Sequence, residues 1–229
     1  MPTDLDYANL CAKVYAVDAS TDKFWTHYWC VEDVVCGHVL QDGIDYLVFR
    51  GSVTPEDWMR DMNAIPVWHP NIGFVHAGFF AGLDTLYPIV KAVISGGVTI
   101  LGHSLGAARA CDMSGLFAED CSSNKLPCPV KTLVTFGQPR PAFINLKRII
   151  DKAGIVHRSY RNRNDPVPEV PFPFPLPFIH TEDYISLDAA PSPTDLEPLR
   201  DHHIQLYIQG VTTLLQGTLN QSPKGKSES

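Results

Sequence analysis

No window of the 229-residue chain approaches the run of about 18 apolar residues that a membrane-spanning helix needs. The opening "MPTDLDYANLCAKVYA" has neither a basic segment nor a long apolar one, so no secretory signal is read there. Clustered lysine and arginine are missing too: 18 basic residues stand against 25 acidic ones, for a net charge of −7 and a pI near 5.6. That balance argues against sequence-independent binding of nucleic acid, which needs basic clusters to neutralise phosphates. The short run Arg158, Arg161, Arg163 reads as a solvated strand edge. Six cysteines, at positions 11, 30, 36, 111, 121 and 128, show neither metal-ligand spacing nor a dense disulfide framework. Reduced, mostly buried thiols are expected, with a Cys121–Cys128 bridge only if the protein is exported. "NQS" at Asn220 fits a glycosylation sequon and, without a secretory signal, is read as chance. No internal repeat is visible. These absences lead to the expectation of a soluble, cytoplasmic chain, with an unconventional route as the alternative for export.

What is present is material for a core. Apolar residues make up 45% of the chain, and its length suits one domain, expected over 1–219 with a disordered tail over 220–229. Asp4 to Ala16 reads as a helix with an aspartate cap and apolar positions at Tyr7, Leu10, Cys11 and Tyr15. "VVCGHVL" and "IDYLVFR" flank Gln41-Asp42-Gly43 and predict a hairpin. "TPEDWMRDM" predicts a short helix with Thr54 as cap and Pro55 at its first position. Gly78 to Ser95 reads as a helix with Pro88 as a kink. Strands at Val98–Leu101, "VKTLVTF" and "IVHRSYR" alternate with helices at Leu105–Ala118 and "LKRIIDKAG", the last closed by Gly154. That alternation predicts an α/β fold with a mostly parallel central sheet flanked by helices, preceded by an antiparallel hairpin. The prolines of "DPVPEVPFPFPLPF" make an extended loop that cannot join a sheet centrally. "FIHTEDYISL" predicts one more strand and "HHIQLYIQGVTTLLQG" a final helix.

The chemistry begins at "TILGHSLGAARA", Thr99 to Ala110, where a β-branched run stops at two glycines flanking a serine. Gly102-His103-Ser104-Leu105-Gly106 satisfies G-x-S-x-G, a turn in which a serine is held in a strained conformation between strand and helix. Glycines two residues to either side remove the Cβ atoms that would collide there. Free N–H groups at the helix start can meet developing negative charge. Such a serine needs a base, and the base an orienting carboxylate, in the chain order Ser, Asp or Glu, His. Asp165, at the end of a predicted strand in "RNRNDPVP", is placed for that role; an Asn-Asp-Pro turn capping its own backbone is the alternative. His157, His180, His202 and His203 follow, and a base carried on a loop to the sheet edge suits His202 or His203 best. Ser52, after another predicted strand, can offer hydroxyl and N–H to an oxyanion alongside the Leu105 N–H.

Taken together, "FRGS" followed by Trp58 and Asp61, then "HAGFF", "GHSLGAA", "TFGQPRP", "RNRNDPVP" and "DHHIQLY", resemble in order the motifs of the class 3 (fungal-type) lipases. These are a branch of the α/β-hydrolases, and the likeness runs from about Tyr7 to Ile208. It implies Ser104 as nucleophile, Asp165 as acid and His202, with Tyr207 following, as base. Ser52 aligns with the family's oxyanion residue. Asp61 aligns with a polar residue that braces the oxyanion loop, and His103, beside the nucleophile, is grouped with it as a supporting residue. The implied activity is hydrolysis of acyl esters of lipids through an acyl-enzyme, with no metal and no organic cofactor. Partners would be a lipid or ester substrate and transient contact with a membrane or lipid-droplet surface. Phospholipase A1-type hydrolysis, a soluble ester substrate and a catalytically silent lipid-binding module on the same fold are the alternatives. Trp58, Ile65, Val67, Trp68 and Phe74, in the region that holds the lid of such lipases, are expected to form lid or acyl pocket. Phe172, Phe174 and Phe178 are expected there too, with simple packing over the core as their alternative.

Overall fold

The structure is a computed structural model that describes residues 2–54, 64–94, 96–192 and 199–220. Helix α1, Asp4–Lys13, starts from Thr3 rather than from an aspartate cap. The Thr3 hydroxyl accepts the Asp6 N–H at 3.3 Å while the Asp6 carboxylate accepts the Thr3 N–H at 2.7 Å, a reciprocal cap. The helix also stops at Lys13, short of Ala16.

Strands β1 (His27–Val31), β2 (Val34–Gln41) and β3 (Ile44–Phe49) follow as an antiparallel ribbon. The β2–β3 turn has Asp42 at φ 51° and Gly43 at φ 75°, the two positive values that match the twist of a two-residue hairpin. Next come a small hairpin, β4 (Pro66–His69) and β5 (Gly73–His76), and the helices α2 (Ala77–Phe80) and α3 (Leu83–Lys91). The single helix expected over 78–95 is thus two, divided at Gly82, whose φ of 79° is left-handed. Strand β6 (Val98–His103), helix α4 (Leu105–Ser123), β7 (Val130–Phe136), α5 (Ile144–Lys152), β8 (Val156–Asn162), β9 (Tyr184–Leu187) and α6 (Ile204–Asn220) complete the order. β9 is shorter than expected because Ile179 bridges Ala142, which itself bridges Val75 of β5. The helix expected at 54–62 lies, from residue 55 on, outside the described residues; of the tail expected over 220–229, Asn220 instead ends α6 and the rest lies outside them.

The seven-stranded sheet runs β1-β2-β3-β6-β7-β8-β9, parallel from β3 onward. Alternate residues feed two cores. Leu47, Phe49, Ile100 and Leu133 face α3, α4 and α5. Tyr46, Val48, Leu101, Val134 and Phe136 face α1 and α6, where they meet Tyr7, Cys11, Ile204, Tyr207 and Val211. A sheet covered on both faces needs apolar residues at consecutive positions, as "TILG" and "TLVTF" supply. Helix α4 is buried from Leu105 through Ala118, so small residues, not a one-sided apolar stripe, set how closely it packs. All six cysteines are free thiols.

Candidate active site

The C-terminal ends of β3, β6, β7 and β8 lie on one edge of the sheet, where parallel sheets form sites. Between β6 and α4, Ser104 has φ 61° and ψ −134°, a conformation costing an L-residue about 1–3 kcal/mol. Its N–H donates to the Phe136 carbonyl at 2.9 Å, anchoring the turn to β7. A Cβ on Gly102 would stand 2.2 Å from the Gly106 carbonyl oxygen, and one on Gly106 2.2 Å from that of Phe49. Glycine is therefore required at both positions for α4 to start against the ends of β6 and β3. Gly51 is also pressed close: a Cβ there would lie 2.4 Å from Tyr15 Oη and 2.8 Å from Ser104 Cβ. Ser52 follows directly, and its Oγ accepts the Thr54 N–H at 3.2 Å.

Asp165 follows the end of β8 and is buried. Its two oxygens have different partners: Oδ1 accepts the Val167 N–H at 2.9 Å, closing a turn, while Oδ2 accepts from His202 Nδ1 at 2.6 Å. The Tyr207 hydroxyl donates to the same Oδ2. Burial works to raise the Asp165 pKa, but the His202 charge and the donors His202, Tyr207 and Val167 outweigh it and hold the group below the ordinary carboxylate value. His202 arrives on a one-turn 3-10 helix, Arg200–His202. The buried Asn162 amide holds that turn, donating to the Asp201 carbonyl at 3.1 Å and to Ala189 at 3.0 Å. Ser104 Oγ and His202 Nε2 are buried, and neither hydrogen-bonds a described residue. Such bonds are often open in the absence of substrate.

A second chain of hydrogen bonds runs behind the site. The Gly51 N–H donates to Tyr15 Oη at 2.9 Å, Tyr15 Oη–H to His103 Nδ1 at 3.0 Å, and His103 Nε2–H to the His202 carbonyl at 2.8 Å. The His103 ring stacks on His202 with centroids 4.6 Å apart. Burial first, and the neighbouring His202 second, lower the His103 pKa to about 3, so this ring is a neutral link. The other downstream histidines have different partners: His157 Nε2 meets Thr135 Oγ1 at 3.0 Å, and His180 Nδ1 the Tyr184 hydroxyl at 2.6 Å. Between the adjacent pair, His202 is the one that meets Asp165.

A sequence profile of the family described as Lipase (class 3) matches residues 46–174. The chain belongs to that family. It is 34% identical over 163 residues to the lipase of Rhizomucor miehei, an overlap covering 64% of this chain and 42% of that protein. It is 28% identical over 149 residues to the chloroplastic phospholipase A(1) DAD1 of Arabidopsis thaliana, covering 54% of this chain and 32% of that one. The chain thus spans less than half the length of these curated relatives. Among solved structures it is similar to a triacylglycerol lipase whose catalytic centre is a serine protease triad, with 27% identity, a TM-score of 0.58 and 74% of each chain covered. The mostly parallel sheet and its flanking helices are those of the α/β-hydrolase fold.

In this class 3 lipase chain the expected lid and pocket residues are distributed unevenly. Trp58 and Asp61 lie outside the described residues. Ile65, Val67, Trp68 and Phe74 stand exposed on and beside the β4–β5 hairpin. Phe172 and Phe174 are exposed as well, whereas Phe178 is buried against Phe143 and His76. Beside the nucleophile, Phe79 packs with Leu105 and Ala108. Tyr15, Gly137 and Asn162 escape the sequence reading. Tyr15 reads only as one more apolar position of the helix expected over Asp4 to Ala16, and Gly137 only as a strand end. Asn162, in "RNRND", carries no signal that its amide spans to a loop some 40 residues later. Among the described residues no cluster of three or more His, Cys, Asp or Glu could hold a metal ion. A cavity of about 710 Å³ between α1 and the β2–β3 turn lies at the opposite end of the sheet and touches none of these groups.

Proposed function

We propose that this chain is a serine carboxylic-ester hydrolase acting on acyl esters of lipids. The observation that carries the reading is the 2.6 Å contact of His202 Nδ1 with Asp165 Oδ2, set beside a serine at positive φ between strand and helix. Ser104 Oγ attacks the ester carbonyl carbon and passes its proton to His202 Nε2. Asp165 accepts the Nδ1–H, so Nε2 keeps its lone pair toward the serine, and the carboxylate stabilises the imidazolium that forms. The oxyanion accepts from the Leu105 N–H and from the Ser52 N–H and hydroxyl; loss of one such donor typically costs about 100–1,000-fold in rate. Ser52 Oγ already accepts the Thr54 N–H at 3.2 Å, which leaves its own proton for the oxyanion. Collapse of the tetrahedral adduct expels the alcohol, protonated by His202, and water then hydrolyses the acyl-enzyme with His202 again as base. The chemistry requires no metal or organic cofactor. Similarity to the R. miehei lipase and to the triacylglycerol lipase with its serine triad supports a glyceride substrate. Similarity to a plant phospholipase A(1) favours the second reading, removal of one acyl chain from a phospholipid. Six free thiols suit a reducing, cytoplasmic setting.

The test is hydrolysis of p-nitrophenyl butyrate and palmitate, and of phosphatidylcholine, by the wild type and Ser104→Ala. Turnover lost in the variant, together with fluorophosphonate labelling of the wild type only, is the expected result. Equal background rates and no labelling of the folded protein would reduce the elbow to a turn and leave a lipid-binding module.

A further inference from the structure

The loop that follows Asp165 has features the catalytic chemistry does not use. From Val170 to Ile179, "VPFPFPLPFI", ten consecutive residues carry no charged or polar side chain. The two ends are fixed. The Arg140 guanidinium donates to the Pro171 carbonyl at 3.0 Å and to Glu169 Oε2 at 3.0 Å, and Arg161 also binds Glu169. At the far end Phe178 is buried, and the Ile179 N–H donates to Ala142 at 2.9 Å. Between these anchors the tip stands in water, with Phe172 71% and Phe174 85% exposed. Large aromatics at that exposure, with no polar neighbour in the sequence, mark a surface built to be covered.

We infer that this proline–phenylalanine loop is a fixed anchor for an electrically neutral lipid surface. Three observations select that occupant. Burying a backbone N–H in hydrocarbon is costly, and the alternating prolines 171, 173, 175 and 177 have none, so at the tip only Phe172, Phe174 and Leu176 carry donors. The absence of charge along the loop, on a protein of net charge −7, removes any attraction to anionic headgroups and favours uncharged or zwitterionic ones. A proline-recognition domain is a poorer fit, because the one P-x-x-P between 166 and 177, Pro168 to Pro171, has both prolines buried, and the exposed tip carries none. The anchor also lies where a lipid surface is useful. Ring contacts lead from Trp68 to Phe74, Phe143 and Phe178, with centroids 5.0–5.2 Å apart. They continue through His76 to Phe79, which packs against Leu105 behind the nucleophile. The inference deepens the ester-hydrolase reading by naming the surface that site would face.

The test uses Ser104→Ala throughout, so hydrolysis cannot enter. Co-sedimentation with phosphatidylcholine vesicles measures partition of this parent, of Phe172→Ser, Phe174→Ser and their combination, and of Leu126→Ser, an exposed leucine outside the loop. Each phenylalanine is expected to lower the partition coefficient about tenfold and the pair about 100-fold, as for a buried side chain of that size left in water. Leu126→Ser should match the parent, and thermal melting should be unchanged in all. A double variant that partitions like the parent, or a parent that does not bind vesicles, would overturn the inference. So would capture of a proline-recognition domain without vesicle binding. Partition as expected in the Ser104→Ala series, with a wild type that fails to hydrolyse p-nitrophenyl butyrate, would leave the anchor standing and remove the hydrolase reading alone.

Discussion

Replacing Tyr15 by phenylalanine removes one oxygen atom and keeps the ring. That oxygen accepts the Gly51 N–H at 2.9 Å and donates to His103 Nδ1 at 3.0 Å, joining the loop that carries Ser52 to the residue beside Ser104. His103 in turn donates to the carbonyl of His202, so one hydroxyl ties the Gly51–Ser52 loop, the elbow and the turn that carries His202. A neutral hydrogen bond contributes about 0.5–1.5 kcal/mol, and a buried partner left unpaired costs about 1–3 kcal/mol. Gly51 and His103 are both buried, but Tyr15 is only partly so, and water can take one of the two places. The expected loss is therefore about 2 kcal/mol of an unfolding free energy of about 5–15 kcal/mol. Catalysis should suffer separately, because oxyanion donors act only in the transition state. A shift in Ser52 should lower kcat about tenfold with KM nearly unchanged. Urea unfolding followed by circular dichroism, beside steady-state hydrolysis of p-nitrophenyl butyrate, measures both. Unfolding midpoints and kcat equal to those of the wild type would refute the role given to this hydroxyl. A stability loss with kcat intact would mean that Tyr15 supports the fold without setting the oxyanion loop.

Further outcomes follow from other parts of the site. Asp165→Asn should lower kcat about 1,000- to 10,000-fold, since an amide can hold the wrong imidazole tautomer, and stopped-flow with an activated ester would detect it. Gly137 sits at φ 59°, and a Cβ there would lie 2.7 Å from His202 Cε1 and 2.9 Å from the Tyr207 hydroxyl. Gly137→Ala should therefore displace the base, losing activity and melting at lower temperature. Two carboxyls should tilt stability in opposite directions with pH. The Asp165 pKa is lowered in the folded chain, so its contribution is present above the unfolded value of about 3.9 and lost as pH falls through the folded one. Burial raises the Asp112 pKa well above the ordinary value despite the Arg109 charge, so there stability falls as pH rises from about 4 toward the folded pKa. Both Asp112 oxygens lack hydrogen-bond partners among the described residues, and Asp112→Asn should stabilise the protein at neutral pH and flatten that decline in melting temperature. An unchanged pH slope would assign it to another group.

Local chemistry was legible wherever a few adjacent residues decide the conformation. The elbow is one case: strand, glycine, serine, glycine and helix are all short-range, and their steric need is met by the 2.2 Å approaches at Gly102 and Gly106. The Asp42-Gly43 turn is another, because positive φ at two successive residues is a property of the dipeptide. The alternation of strands and helices likewise disclosed the layered fold. Where two local signals compete, the reading slipped. The aspartate expected to cap α1 gives way to Thr3, because Asp6 can return the hydrogen bond to the Thr3 N–H and close a reciprocal cap. Gly82 divides a stretch whose apolar periodicity alone predicts one helix.

By itself, then, the sequence determined the α/β architecture, the strained serine and a short choice of acids and bases. Which histidine meets Asp165 is a different kind of fact. His202 and His203 are chemically alike and adjacent, and the choice depends on how Asn162 holds the turn at Asp201 and how Gly137 leaves room for one imidazole. The Tyr15–His103 link joins residues 88 positions apart, and the Tyr207–Asp165 contact spans 42. Contacts of that separation depend on the packing of α1 and α6 over one face of the sheet, which no local pattern encodes. Packing against Phe143 and His76 draws Phe178 inside and leaves Phe172 and Phe174 in water, although all three share one repeated dipeptide environment.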